Sequence, residues 1–102
     1  MSTTIFEKQG KSLTVKPAGR LDATASPVLD KELQPYLNDV LDITMDFVNV
    51  EYISSAGMRV LLATEQRMEE CDGNLRLIHV NENILEVFEL VGFMDIVNVE
   101  ED

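Results

Sequence analysis

Two adjacent hydroxyls, Ser54 and Ser55, lie in residues 50–62, VEYISSAGMRVLL, between an apolar run and an amphipathic segment. Two chemistries suit that spacing. Serine is among the best helix N-caps, because its oxygen accepts a hydrogen bond from an otherwise unpaired amide of the first turn. A hydroxyl at a helix start is also a good place for a phosphate. Backbone N–H groups there lack partners and the helix dipole is positive, so a dianion gains hydrogen bonds without unfolding the helix. Spacing alone leaves both readings open. Gly57 is expected to keep the neighbouring surface low, and Arg59 is either a solvated first-turn residue or a contact for a phosphate or partner.

Other reactive residues make poorer sites. A nucleophile elbow needs a small residue two before its serine, and Ile53 stands there before Ser55. His79, the single histidine, follows an apolar strand and suits a packed or capping role better than that of a base. A phospho-accepting aspartate would need an acidic pair after the first strand; Asp42 and Asp46 have none to work with. One histidine and one cysteine, with carboxylates dispersed, give no metal-ligand spacing, and no glycine-rich phosphate loop is present. Cys71 reads as a small packed residue and the five methionines as core filler. No catalytic residue, cofactor or metal is expected, and the chain is read as a non-enzyme.

The elements that must position the serines follow from periodicity. TIFEKQ and SLTVKPA flank GK, as in a hairpin with a tight turn, and Leu13 and Val15 alternate with Thr14 and Lys16. GRLD closes that strand. ATASPVLDKEL opens a helix, with Ser26 as N-cap, Pro27 at the first helical position and a kink or early end near Gln34 caused by Pro35. LDITMDFVNV reads as one strand. Met58, Leu61, Leu62 and Met68 mark a helix face that ends near CDGN, where Gly73 is expected to take a left-handed cap. LRLIHV reads as a strand, NENILEVFELVGF as a helix stopped by Gly92, and MDIVNV as a last strand. The order β-β-α-β-α-β-α-β implies an α/β fold, with a mixed, mostly parallel sheet, an N-terminal hairpin and helices packed on it. GRLD and ISSAG both fall at carboxyl ends of strands, where ligands gather in such sheets.

Composition limits the partners. Eight basic and nineteen acidic residues give a net charge of −11, which repels nucleic acid and anionic lipid surfaces. A basic or mixed-charge protein partner fits better. At 102 residues and 45% hydrophobic, residues 1–102 are expected to form one domain that needs no disulfide or metal staple. The single cysteine and the lack of a long apolar run suit a cytoplasmic protein without membrane insertion, a monomer or weak dimer.

GRLDATASP, LDITMDF and VEYISSAGMRVLL, taken together and in order, resemble the STAS domain, named for sulfate transporters and anti-sigma factor antagonists. A chain of this length most resembles the bacterial antagonists. The resemblance implies a phosphorylatable binding module. Its partner would be an anti-sigma factor serine kinase of histidine-kinase-like ATPase fold, which supplies ATP and magnesium, phosphorylates a serine at the second helix and then lets go. A PP2C-type phosphatase would restore the active form. The family motif often reads Asp-Ser-Ser/Thr-Gly. Aligning on Gly57 places Ser55 at the acceptor, Ser54 at the aspartate and Ala56 at the second hydroxyl, which leaves Ser54 as rival acceptor or helix cap. Asp22, Thr24, Ser54, Ser55, Ala56, Gly57, Met58 and Arg59 would form the docking face. STAS domains that serve as scaffolds, or as subunits of lipid-transport or signalling assemblies, are the alternative.

Overall fold

The computed structural model describes residues 4–100; the first three residues and Glu101 and Asp102 of the acidic tail lie outside the described residues. β1 (Ile5–Gln9) and β2 (Ser12–Lys16) form the expected antiparallel hairpin, turned at Gly10 with φ +61°. β2 then pairs in parallel with β4 (Asp42–Asp46), β4 with β6 (Asn74–Ile78), and β6 with β7 (Asn98–Val99). The five-stranded order β1-β2-β4-β6-β7 is the mixed, mostly parallel sheet that alternating strands and helices require. Leu13, Val15, Ile43, Met45, Leu75 and Leu77 line its buried face. The alternate residues present a polar face, where the Arg76 guanidinium donates to Thr44 Oγ1 (2.9 Å).

Two predicted strands are each divided. SLTVKPAGRLD breaks at Pro17, which lacks the N–H a central strand must donate, and β3 (Ala18–Leu21) begins beyond it. LDITMDFVNV breaks after Asp46. The Asp46 carboxylate accepts the Val48 amide (3.0 Å), and the Val50 amide donates to the Phe47 carbonyl (2.9 Å), making a turn before β5 (Asn49–Ile53). β3 and β5 pair with each other in parallel as a separate two-stranded sheet, with a bulge between Gly19 and Arg20. Gly19 takes φ +79° there, a conformation costly for any residue with a Cβ.

α1 (Ala25–Leu37) buries Leu29, Leu33 and Leu37. Its start differs from expectation. Thr24 is the N-cap residue and its side chain makes no capping bond; the Asp22 carboxylate instead accepts the Thr24 and Ala25 amides. Ser26 lies inside the first turn, fully buried, with no hydrogen-bond partner for its hydroxyl among the described residues, and Pro27 follows within the helix. Pro35 does not end the helix, which runs on to Leu37. The apolar stripe through Leu37 and the stacking of Tyr36 on Phe6 (centroids 5.0 Å apart) hold the last turn in place.

α2 (Ser55–Glu70) ends in a Schellman motif: the Gly73 amide donates to Met68 O (2.7 Å) and the Asp72 amide to Glu69 O (3.2 Å). Asp72, with φ +60°, takes the left-handed position expected of Gly73. Gly73 answers a different need: a Cβ on it would stand 2.5 Å from the Leu41 carbonyl oxygen. α3 (Glu82–Leu90) is capped by Asn81, whose side chain accepts the Ile84 amide (2.9 Å), and it stops before Gly92 as expected, with φ +73°. The final strand is shorter than its sequence suggests, because Phe93–Asp95 forms a 3-10 turn that sets the Phe93 ring, tilted, against Phe88 (centroids 4.8 Å apart).

Candidate functional site at the start of the second helix

Because β3 and β5 are parallel with Leu21 opposite Ile53, the GRLD loop and the serine junction leave the small sheet side by side. One carbonyl ties them. Leu21 O accepts both the Ser54 amide (3.0 Å) and the Ser54 hydroxyl (2.8 Å), while Ser54 Oγ accepts the Gly57 amide (3.3 Å). Ser54 is therefore the N-cap of α2, with extended backbone (φ −96°, ψ 175°), and also a clamp between two loops. Its hydroxyl is committed on both sides.

Ser55 is the first helical residue and is exposed. With the Gly57 amide taken by Ser54 Oγ, the Ser55 and Ala56 amides are the first-turn donors that have no acceptor within the helix, and an anion on Ser55 Oγ would lie at the positive end of the dipole. Arg59 is exposed one turn further along the helix, at i+4, on the face that carries Ser55. On the strands that lead to this junction, Arg20 lies over the Tyr52 ring, 4.3 Å from its centroid. That pair was not singled out from the sequence. The signal was present, since Arg20 stands two residues before Asp22 and Tyr52 two before Ser54, which places them opposite each other in parallel strands.

The remaining expected docking residues divide by exposure. Thr24 is exposed, and Ala56 and Met58 are half-buried, Met58 packing against the core. Asp22 is half-buried, its carboxylate spent on the α1 start, and the Ala25 amide is the chief cause that holds its pKa below the ordinary carboxylate value. Gly57 is buried and faces inward, so it does not act by lowering the outer surface. A Cβ on it would stand 2.6 Å from Ile53 Cγ1 and 3.0 Å from Leu21 O, so its smallness lets α2 close onto the β3–β5 ends.

His79 is engaged away from the serines. Its Nδ1 lies 2.8 Å from Asp46 Oδ1, at the carboxyl ends of β4 and β6, and its backbone is left-handed at φ +57°. Burial pushes the Asp46 carboxyl up, but the bond to His79, the Val48 amide and the Lys16 ammonium outweigh it and lower the pKa overall. Cys71 is exposed rather than packed, because it falls at the C-cap of α2, beyond the buried stripe that ends with Met68. Among the described residues no three His, Cys, Asp or Glu side chains gather as a metal site would need, and no helix is long and apolar enough to cross a membrane.

Comparison with known proteins supports the family and the fold. The sequence profile of the family described as "Mlab, STAS domain" matches residues 5–98. The chain is similar to the anti-sigma-B factor antagonist of Staphylococcus aureus (strain NCTC 8325 / PS 47), 32% identical over 94 residues, covering 91% of this chain and 87% of the relative. It is also similar to the anti-sigma-B factor antagonist of Bacillus subtilis (strain 168), 27% identical over 100 residues and covering 97% and 92%. The fold is shared with an anti-sigma factor antagonist from Mycobacterium paratuberculosis (TM-score 0.87, 17% identity, covering 100% of this chain and 87% of the other). It is shared as well with the Bacillus cell fate determinant SpoIIAA in its phosphorylated form (TM-score 0.76, 16% identity, 98% and 93%).

Proposed function

This chain belongs to the STAS domain family, with anti-sigma factor antagonists among its relatives, and from that premise we propose that it is a binding module switched by phosphorylation at Ser55. Unmodified, it holds an anti-sigma factor serine kinase through the exposed start of α2 and the neighbouring GRLD loop. The kinase brings ATP and magnesium, transfers a phosphoryl group to Ser55 Oγ and dissociates, and a PP2C-type phosphatase removes the phosphate.

One observation carries the choice of acceptor: of two adjacent serines, Ser54 spends its hydroxyl on Leu21 O and the Gly57 amide, while Ser55 is exposed. A phosphate on Ser54 would cost both bonds and break the link between the loops. A phosphate on Ser55 would add about −1.5 to −2 of charge to a surface the helix end and Arg59 can accommodate. The switch is then local. Repulsion and bulk at the docking face end the complex, and the fold stays as it was. SpoIIAA, which shares the fold, is described in a phosphorylated form, which supports the reading.

The test is binding of the cognate kinase to purified variants, followed by calorimetry. Ser55→Ala is expected to bind as the wild type does. Ser55→Asp is expected to lose at least about tenfold in affinity, with an unchanged circular dichroism spectrum. A constitutive interaction module would instead bind equally well in all three forms.

A further inference from the structure

The side of the molecule formed by the end of α3 carries apolar groups that the fold does not use. α3 packs through Ile84 and Phe88, both buried, and these satisfy its amphipathic period. Leu90 is off that stripe and 86% exposed; Val91 is 57% and Ile96 48% exposed, on the turn that follows. Single exposed apolar residues are ordinary, but these three stand on a helix end and on the turn packed against it, close enough for one partner to cover together. Leu90 also borders a shallow depression of about 340 Å³ whose other walls are Glu86 and Glu89.

Charge says what would cover them. From Val80 to the C-terminus the sequence has no lysine or arginine, while Glu82, Glu86, Glu89 and Asp95 fall on α3 and its following turn. A second copy of this chain would bring one acidic rim against another, and an anionic lipid surface would be repelled in the same way. α3 starts at the carboxyl end of β6 and runs back toward the amino ends of the strands before β7 begins. Its far end is therefore at the pole opposite Ser54 and Ser55, so both faces can be occupied at once.

We propose that Leu90, Val91 and Ile96, rimmed by Glu86, Glu89 and Asp95, form a second docking surface for a basic amphipathic segment of a protein partner. Such a segment would set two or three large apolar side chains on the patch and place lysine or arginine against the rim. The module then has two sides, one switchable at Ser55 and one constant.

The probe is a synthetic peptide of lysine and leucine at helical spacing, titrated into the full isotope-labelled chain and followed by amide chemical shifts; a scrambled peptide of the same composition is the control. The ordered peptide is expected to shift Leu90, Val91 and Ile96 and to leave Ser54–Arg59 unmoved. Leu90→Ser, at an exposed site that folding does not need, is expected to weaken binding about tenfold, as loss of one anchor does. Glu86→Gln with Glu89→Gln is expected to weaken it and flatten its salt dependence. Equal binding of the scrambled peptide, or of the Leu90→Ser chain, overturns the proposal. So does self-association of the free chain that Leu90→Ser abolishes, since a second copy would then be the occupant. Loss of kinase binding on Ser55→Asp leaves this test untouched, so the two readings fail separately.

Discussion

Replacing each serine by alanine should separate a structural hydroxyl from an available one. Ser54→Ala removes the α2 N-cap, worth about 1 kcal/mol, and the hydroxyl bond to Leu21 O, worth about another 1 kcal/mol. The Leu21 carbonyl keeps the Ser54 amide at 3.0 Å, so it is not left unpaired and no further penalty arises. The loss is therefore about 2 kcal/mol. Globular proteins unfold with roughly 2.1 cal/mol/K of entropy per residue, so for 102 residues the melting temperature falls by about 9 °C. Ser55→Ala touches an exposed first-turn position and should cost no more than about 0.5 kcal/mol, or about 2 °C. Thermal and urea unfolding at pH 7, followed by circular dichroism, measures both. A Ser54→Ala protein melting within about 2 °C of wild type would refute the clamp, as would a Ser55→Ala protein that falls as far.

Two further outcomes follow from the packing. The Asp46 carboxyl has a lowered pKa in the folded state, so its contribution is present above the ordinary value of about 3.9 and is lost as pH falls through the folded value. The stability gap between wild type and Asp46→Asn, measured by urea unfolding, should narrow as pH falls from about 5 toward 3; a gap unchanged across that range contradicts the lowered Asp46 carboxyl. Gly57→Ala gains about 1 kcal/mol of helix propensity but forces a Cβ to 2.6 Å from Ile53 Cγ1, an overpacking worth about 1–3 kcal/mol. A net loss of about 1 kcal/mol is expected, and a more stable variant would show that the β5 end yields.

What could be read without coordinates depended on whether the cause was local. The GK turn, the stop of α3 before Gly92, and the placement of GRLD and ISSAG at carboxyl ends of strands follow from spacing and strand direction, and the structure places them as expected, although Val91, at the helical spacing of Ile84 and Phe88, is exposed. The break after Asp46 was hidden because the apolar alternation runs on through Phe47, Val48 and Val50, and the turn depends on a carboxylate bonding its own backbone. Ser26 looked like a cap because serine next to proline often is one; here Asp22, four residues earlier, takes that role, and Ser26 is buried within the first turn. From sequence Gly57 suggests a low outer surface and Gly73 a left-handed cap, whereas close tertiary contacts, to Ile53 and Leu21 for the first and to Leu41 for the second, explain them. The two serines could be located from sequence but not ranked by hydrogen bonding, since the partner that occupies Ser54 is a carbonyl 33 residues away.

The central claim is that a kinase uses Ser55 and that Ser54 holds the site in shape. Its most direct test is site-resolved mass spectrometry of the wild type, Ser54→Ala and Ser55→Ala chains after incubation with the cognate serine kinase and ATP. One phosphate on Ser55 is expected in the wild type and in Ser54→Ala, and none in Ser55→Ala. Phosphate on Ser54, or undiminished labelling of the Ser55→Ala chain, would contradict the account.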